Sequence, residues 1–173
     1  MNFEIRRLYV DNLPSQIYDF MQSCAEQGLE NNVSKVSMKF GKWKDEAWWC
    51  TWVDNKIVSI SGCHAFDDYI PDSYRVCLRT ATLKEYRGKA PGSIKKMHND
   101  FNWGHILPYQ IEYAKSKGAK RIVFTTNSEV DKSPNSFRTN RVVEKVFIPQ
   151  GLCRLVEKDA EVFYTKQNIW EVI

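Results

Sequence analysis

Three histidines, an odd five cysteines and no long apolar run are what this 173-residue sequence is short of. The cysteines at 24, 50, 63, 77 and 153 form no C-x-x-C pair, so neither a zinc ribbon nor a disulfide framework is suggested; buried free thiols are expected. His64, His98 and His105 share no metal-ligand spacing, so no metal is expected. No apolar stretch approaches a bilayer span, and Met1 to Arg7 has no apolar signal core. The expectation is therefore a cytoplasmic protein with no membrane partner.

Hydrophobic residues make up 43% and charged residues 27%, a balance that suits a globular chain rather than a disordered one. The length suits one domain, 1–173, able to bury a core without metal or disulfide support. The formal net charge is +4, and its distribution says more than its sum. Residues 84–121 hold nine Lys and Arg against three acids, while the rest of the chain is slightly acidic. That surplus suits a phosphate-bearing ligand; for Lys115, Lys117 and Lys120 it equally suits a solvated helix face.

The pattern is that of an α/β chain. Phe3 to Val10 reads as a first strand; Ile17, Phe20, Met21 and Cys24 then recur at helical spacing between Pro14 and a stop at Gly28. Residues 29–45 hold a helix or turn before Lys42. Glu46 to Val53 and Lys56 to His64 flank Asp54-Asn55, a pair that tolerates the left-handed backbone of a tight hairpin. Trp48, Cys50 and Trp52 share one face of the first of these strands, where packing is the expected use of the tryptophans. Tyr74 to Leu83 is the next strand, interrupted by Arg75 and Arg79, and a charge on a central strand marks a polar cleft or an end of the core. Ile122 to Thr126 forms a further strand, and Ser133-Pro134 a helix entry with a cap and a first-position proline.

Between two of these elements lies Glu85-Tyr86-Arg87-Gly88-Lys89-Ala90-Pro91-Gly92-Ser93, with two glycines and two cations in nine residues. Glycine lets backbone approach an anion closely, cations supply charge and amides supply directed donors. A surface turn is the plain alternative. Followed by Ala114 to Asn127, a helix end, turn and apolar strand, this loop resembles that of the GCN5-related N-acetyltransferase (GNAT) family, an Arg/Gln-x-x-Gly-x-Gly/Ala motif after the fourth strand. In R-G-K-A-P-G, Ala90 stands at the motif's first glycine and Gly92 at its last position. The hairpin at 46–64 is similar to the family's second and third strands.

The resemblance implies an acyl-CoA N-acyltransferase-like fold, with a mixed central sheet of about six to seven strands flanked by helices and splayed at the cofactor. Acetyl-CoA is the implied acyl donor, held by Thr82 and Leu83 at the strand end and by Arg87, Gly88, Lys89, Ala90, Gly92 and Ser93 in the loop. Gly88 and Gly118 lie 30 positions apart, roughly ten more than the family implies, which points to an insertion at about 94–102. The next helix then starts either near Asn102, where Trp103, Gly104 and His105 would hold the pyrophosphate, or at Pro108, which leaves that role to the loop. Asn127 ends the following strand, and Asn135 would bond pantetheine or cap its helix.

Many relatives place a tyrosine before a Glu-Lys pair to protonate the departing thiolate; here Val143 precedes Glu144-Lys145. Tyr164, Tyr74 and His64 are the replacements considered, with Tyr164 and His64 retained as candidate catalytic residues, and Glu129, Glu157 or a water chain as base. The implied reaction is direct attack of a primary amine, on a small molecule or a peptide, on the acetyl thioester. A catalytically idle CoA-binding or interaction protein of the same fold is the second reading. A nucleic-acid-binding protein ranks last, since the positive charge is local and no nucleic-acid motif accompanies it. The terminal strand through Phe163 to Ile173 either pairs with a second subunit or closes the sheet, so monomer and homodimer both stay open.

Overall fold

Asp54 and Asn55 adopt φ of 46° and 62°, the left-handed pair that a two-residue hairpin requires. They join β2 (Ala47–Val53) to β3 (Lys56–Ala65), and this hairpin is the middle of one half of the sheet. The computed structural model describes residues 1–29, 40–90, 106–129 and 139–173. The insertion expected at 94–102 and the Ser133-Pro134 helix entry lie outside the described residues.

β1 (Glu4–Leu8) precedes α1 (Gln16–Glu26), and β4 (Ser73–Thr82) runs into a 3-10 turn at Lys84–Tyr86. After α2 (Ile106–Ser116) come β5 (Arg121–Asn127), a helical segment α3 over 139–147 that closes in a π turn at Val143–Phe147, β6 (Cys153–Val162) and β7 (Thr165–Val172). The seven strands form one sheet in the order β1-β2-β3-β4-β5-β7-β6. Among the described residues only β4 and β5 run parallel, with α2 lying between them in the chain. β7 lies between β5 and β6 and pairs with both, so the C-terminal strand closes the chain's own sheet and the edges belong to β1 and β6.

α1 presents Ile17, Phe20 and Cys24 as the spacing predicts, and Gly28 ends the turn at φ 70°. The Leu29 amide reaches back to the Cys24 carbonyl at 2.8 Å, a Schellman-type closure. This helix covers one face of the first half-sheet, against Trp48, Cys50, Ile60 and Leu78. On the opposite face a second core joins Trp49, Cys63 and Val76 to Leu107 and Ala114 of α2 and to Phe124 and Trp170. A third core, of Phe66, Val123, Val162 and Ile169, lies on the α1 face but under the other half of the sheet.

Four of the five cysteines are buried and the fifth is half-buried, all as free thiols. Burial pushes Cys24 and Cys63 up to about 12. No helix is long and apolar enough to cross a membrane among the described residues.

Candidate active site

β4 and β5 stay in register for three pairs, Ser73 with Arg121, Tyr74 with Ile122 and Arg75 with Val123. Beyond Arg75 the two strands share no register pair, so the sheet opens there toward the C-terminal ends of both. Within β4, Cys77 and Arg79 sit at φ 61° and 51°, and its register with β3 shifts around Gly62. Two non-glycine residues in the left-handed region store strain of order 1–3 kcal/mol each, a device found at sites where backbone must be re-aimed.

Gln110 of α2 braces this bulge. Its side-chain carbonyl accepts the Cys77 amide at 2.8 Å, and its Nε2 donates to Ser61 Oγ at 2.8 Å, which in turn lies 2.7 Å from Thr80 Oγ1. Gln110 is fully buried. Its sequence signal is a polar residue three positions after Leu107 and four before Ala114, where helical periodicity marks a core position but not its role.

Thr82 and Leu83 close β4. The Leu83 amide bonds the Val58 carbonyl at 3.0 Å, so alternation turns the Thr82 backbone to the opposite, splayed edge. The Thr82 carbonyl there accepts Arg87 Nε at 3.3 Å. In the loop that follows, the amides of Arg87, Lys89 and Ala90 bond carbonyls of Lys84 and Tyr86, and Gly88 takes φ 77°. Ala90 is fully buried beside Val53 and Val58. These hydrogen bonds close residues 84–90 into a turn, from which the Arg87 and Lys89 side chains stay exposed. Gly92, Ser93, Trp103, Gly104, His105 and Asn135 lie outside the described residues. α2 is under way by Ile106, so the start at Pro108 does not hold.

At the closed end of the splay a second group forms on the α1 face. His64 and Arg75 are register partners across β3 and β4. His64 is buried, its ring stacked on Trp43 with centroids 5.3 Å apart and set 6.0 Å from Phe163. His64 Nδ1 lies 2.7 Å from the Ala65 carbonyl, which fixes the proton on Nδ1 and leaves Nε2 as a lone-pair acceptor with no partner. Burial and the nearby Arg75 cation push this imidazole down to about 3, so it is neutral at ordinary pH. The Arg75 guanidinium lies over the rings of Phe66 and Phe163.

The remaining candidates separate from these. Tyr164 stands at the β6–β7 turn with φ 67° and full exposure, which corrects its expected place on a strand. Tyr74 donates to Asp45 at 2.8 Å, and burial with that carboxylate holds its hydroxyl well above the usual range, which removes it as a ready acid. Val143 is fully buried in the core, and Glu157 is exposed on the edge strand β6. The Asn127 side chain accepts the Glu129 amide at 2.8 Å, and Asn127 ends β5 as Thr82 ends β4. No group of His, Cys, Asp and Glu able to hold a metal ion occurs among the described residues.

No protein-family model matches the sequence, and no curated protein does. Solved structures do resemble it along nearly its whole length. An acyl-CoA N-acyltransferase from Pseudomonas aeruginosa superposes with a TM-score of 0.60 at 7% identity, over 99% of this chain and 100% of that one. Escherichia coli ElaA gives 0.58 at 11% identity over 99% and 100%. An acetyltransferase of the GNAT family from Staphylococcus aureus Mu50 gives 0.56 at 10% identity over 99% and 98%. At such identities the likeness is one of fold, and the fold of this chain is that of the GNAT acyl-CoA N-acyltransferases.

Proposed function

We propose that this protein transfers an acetyl group from acetyl-CoA to a primary amine by direct attack in a ternary complex. The observation that carries this reading is the parting of β4 and β5 after Arg75, within a fold shared by acyl-CoA N-acyltransferases. An opening between parallel strands exposes backbone donors and acceptors along one edge, which suits an extended amide chain such as pantetheine. The neutral amine attacks the thioester carbonyl; the N–C bond forms, the C–S bond breaks and the proton lost by nitrogen passes to the thiolate. Backbone amides at the β4 edge would stabilise the oxyanion, and Arg87 and Lys89 would face the cofactor's phosphates.

Isothermal titration with acetyl-CoA tests the reading. Saturable binding is expected, weakened at least tenfold in an Arg87→Glu, Lys89→Glu variant, which is about 1.4 kcal/mol. A folded wild-type protein that does not bind would end it. The buried Val143 where relatives carry a tyrosine favours one second reading, a CoA-binding protein without turnover. Binding without acetylation across a broad amine panel would select that reading.

A further inference from the structure

Among the described residues, three polar groups in the His64 cluster lack adequate partners. His64 Nε2 is buried with none, and so is Nε1 of Trp43, the ring stacked on His64. Among the described residues Arg75 donates one side-chain hydrogen bond, from Nη2 to Gln167 Oε1 at 3.5 Å, and pairs with no carboxylate. Burial lowers its guanidinium to about 10, which leaves it charged at neutral pH. Native proteins satisfy nearly all such groups, and a cation held among aromatic rings without a counter-ion is costly.

The three deficits have complementary signs. Arg75 and the Trp43 indole offer donors, with positive charge; His64 Nε2 offers a lone pair. Because His64 and Arg75 face each other across β3 and β4, their Cβ atoms are about 5 Å apart and their head groups rise from the same face. A ligand that fits both carries an anion and an N–H within a short span. The pair also sits at the last paired rung of β4 and β5, beside the start of the opening into which the thioester would reach.

Resting on the acyl-transfer reading, we infer that the acceptor is an amine bearing a carboxylate close to its nitrogen, an α-amino-acid-like molecule whose carboxylate Arg75 anchors and whose amine donates to His64 Nε2. Phe66, Phe163 and Trp43 then supply an apolar wall for its side chain. In this arrangement a planar guanidinium takes a carboxylate in two parallel bonds, which a lysine does not reproduce.

The test uses the full chain and a panel of L-α-amino acids, each beside its decarboxylated amine. Acetylation by CoA release and thermal shift are both read. Amino acids are expected to be acetylated with KM at least tenfold below that of their decarboxylated partners, and to raise Tm where those partners do not. Arg75→Gln should raise the amino-acid KM at least tenfold and that of the decarboxylated amines far less, with the acetyl-CoA KM unchanged. Arg75→Met, which removes an unpaired charge, should raise the ligand-free Tm by about 2–5 °C, which also shows that the variant folds. Equal responses from acids and decarboxylated amines, or equal losses for both in Arg75→Gln, would overturn the inference. Acetyl-CoA binding in the same samples then tells the two failures apart: with binding, only the carboxylate anchor falls; without binding or any Arg75-dependent shift, both do.

Discussion

At Gly62 a single methyl group would strike the core. A Cβ built there would lie 2.7 Å from Cε3 of Trp48, a fully buried ring packed under α1. The same residue occupies the point where β3 and β4 change register, so neither the strand nor the ring can yield without disturbing the bulge. Gly62→Ala is expected to destabilise the fold by about 1–3 kcal/mol, lowering Tm by roughly 3–9 °C. Thermal unfolding by circular dichroism checks this, and an unchanged Tm would mean that Trp48 has room to move. His64 makes a related point about legibility. Its sequence neighbourhood offered only a histidine at the end of an apolar strand, and its partner Arg75 is eleven positions away. Whether two such residues meet depends on cross-strand register, which local pattern does not set when a bulge intervenes.

At the scale of elements, β7 is secured by ion pairs as well as by its two neighbours. Glu171 accepts Arg121 Nε and Nη2 at 2.8 and 3.0 Å from β5 and Arg154 Nε at 2.8 Å from β6. These bonds, Arg121 first, hold its carboxyl down at about 2 against an ordinary 4.5. A depressed acid contributes its stability in full above the unfolded value and loses it as pH falls from about 4.5 toward 2. Glu171→Gln should therefore cost about 2 kcal/mol near pH 7 and progressively less below pH 4.5. Denaturant midpoints of both proteins across that window test it; a constant difference would contradict the assignment. The elements themselves divide by what signals them. The hairpin at Asp54-Asn55, the α1 stripe and the β5 run were legible because turn chemistry and periodicity are local. The β4 bulge was not, since left-handed backbone is carried there by Cys77 and Arg79 rather than by glycine. Nor was the burial of Ala90, which sits beside Val53 and Val58 in a loop whose glycine and two cations signal only a polar turn.

The molecule as a whole is joined on one face of its sheet and divided on the other. The core beneath α2 runs unbroken from Trp49 in β2 to Trp170 in β7, across the parting of β4 and β5. On the α1 face the described residues form two cores, one mainly of β1–β4 and one mainly of β5–β7, with His64 and Arg75 at their border. With only three register pairs between β4 and β5, the arms are held at one end by the α2 core and open at the other. A ligand lying in that opening touches both arms and so stabilises the assembled sheet rather than either half. Acetyl-CoA at about a hundred times its Kd should add about 2.7 kcal/mol, or roughly 5–10 °C in Tm. Hydrogen exchange gives the sharper reading, because it resolves where the added stability falls. Amides of β4 after Arg75 and of β5 after Val123 should slow together when the cofactor is added. Slowing confined to one arm would place the ligand outside the opening and undo the link between this sheet and acyl transfer.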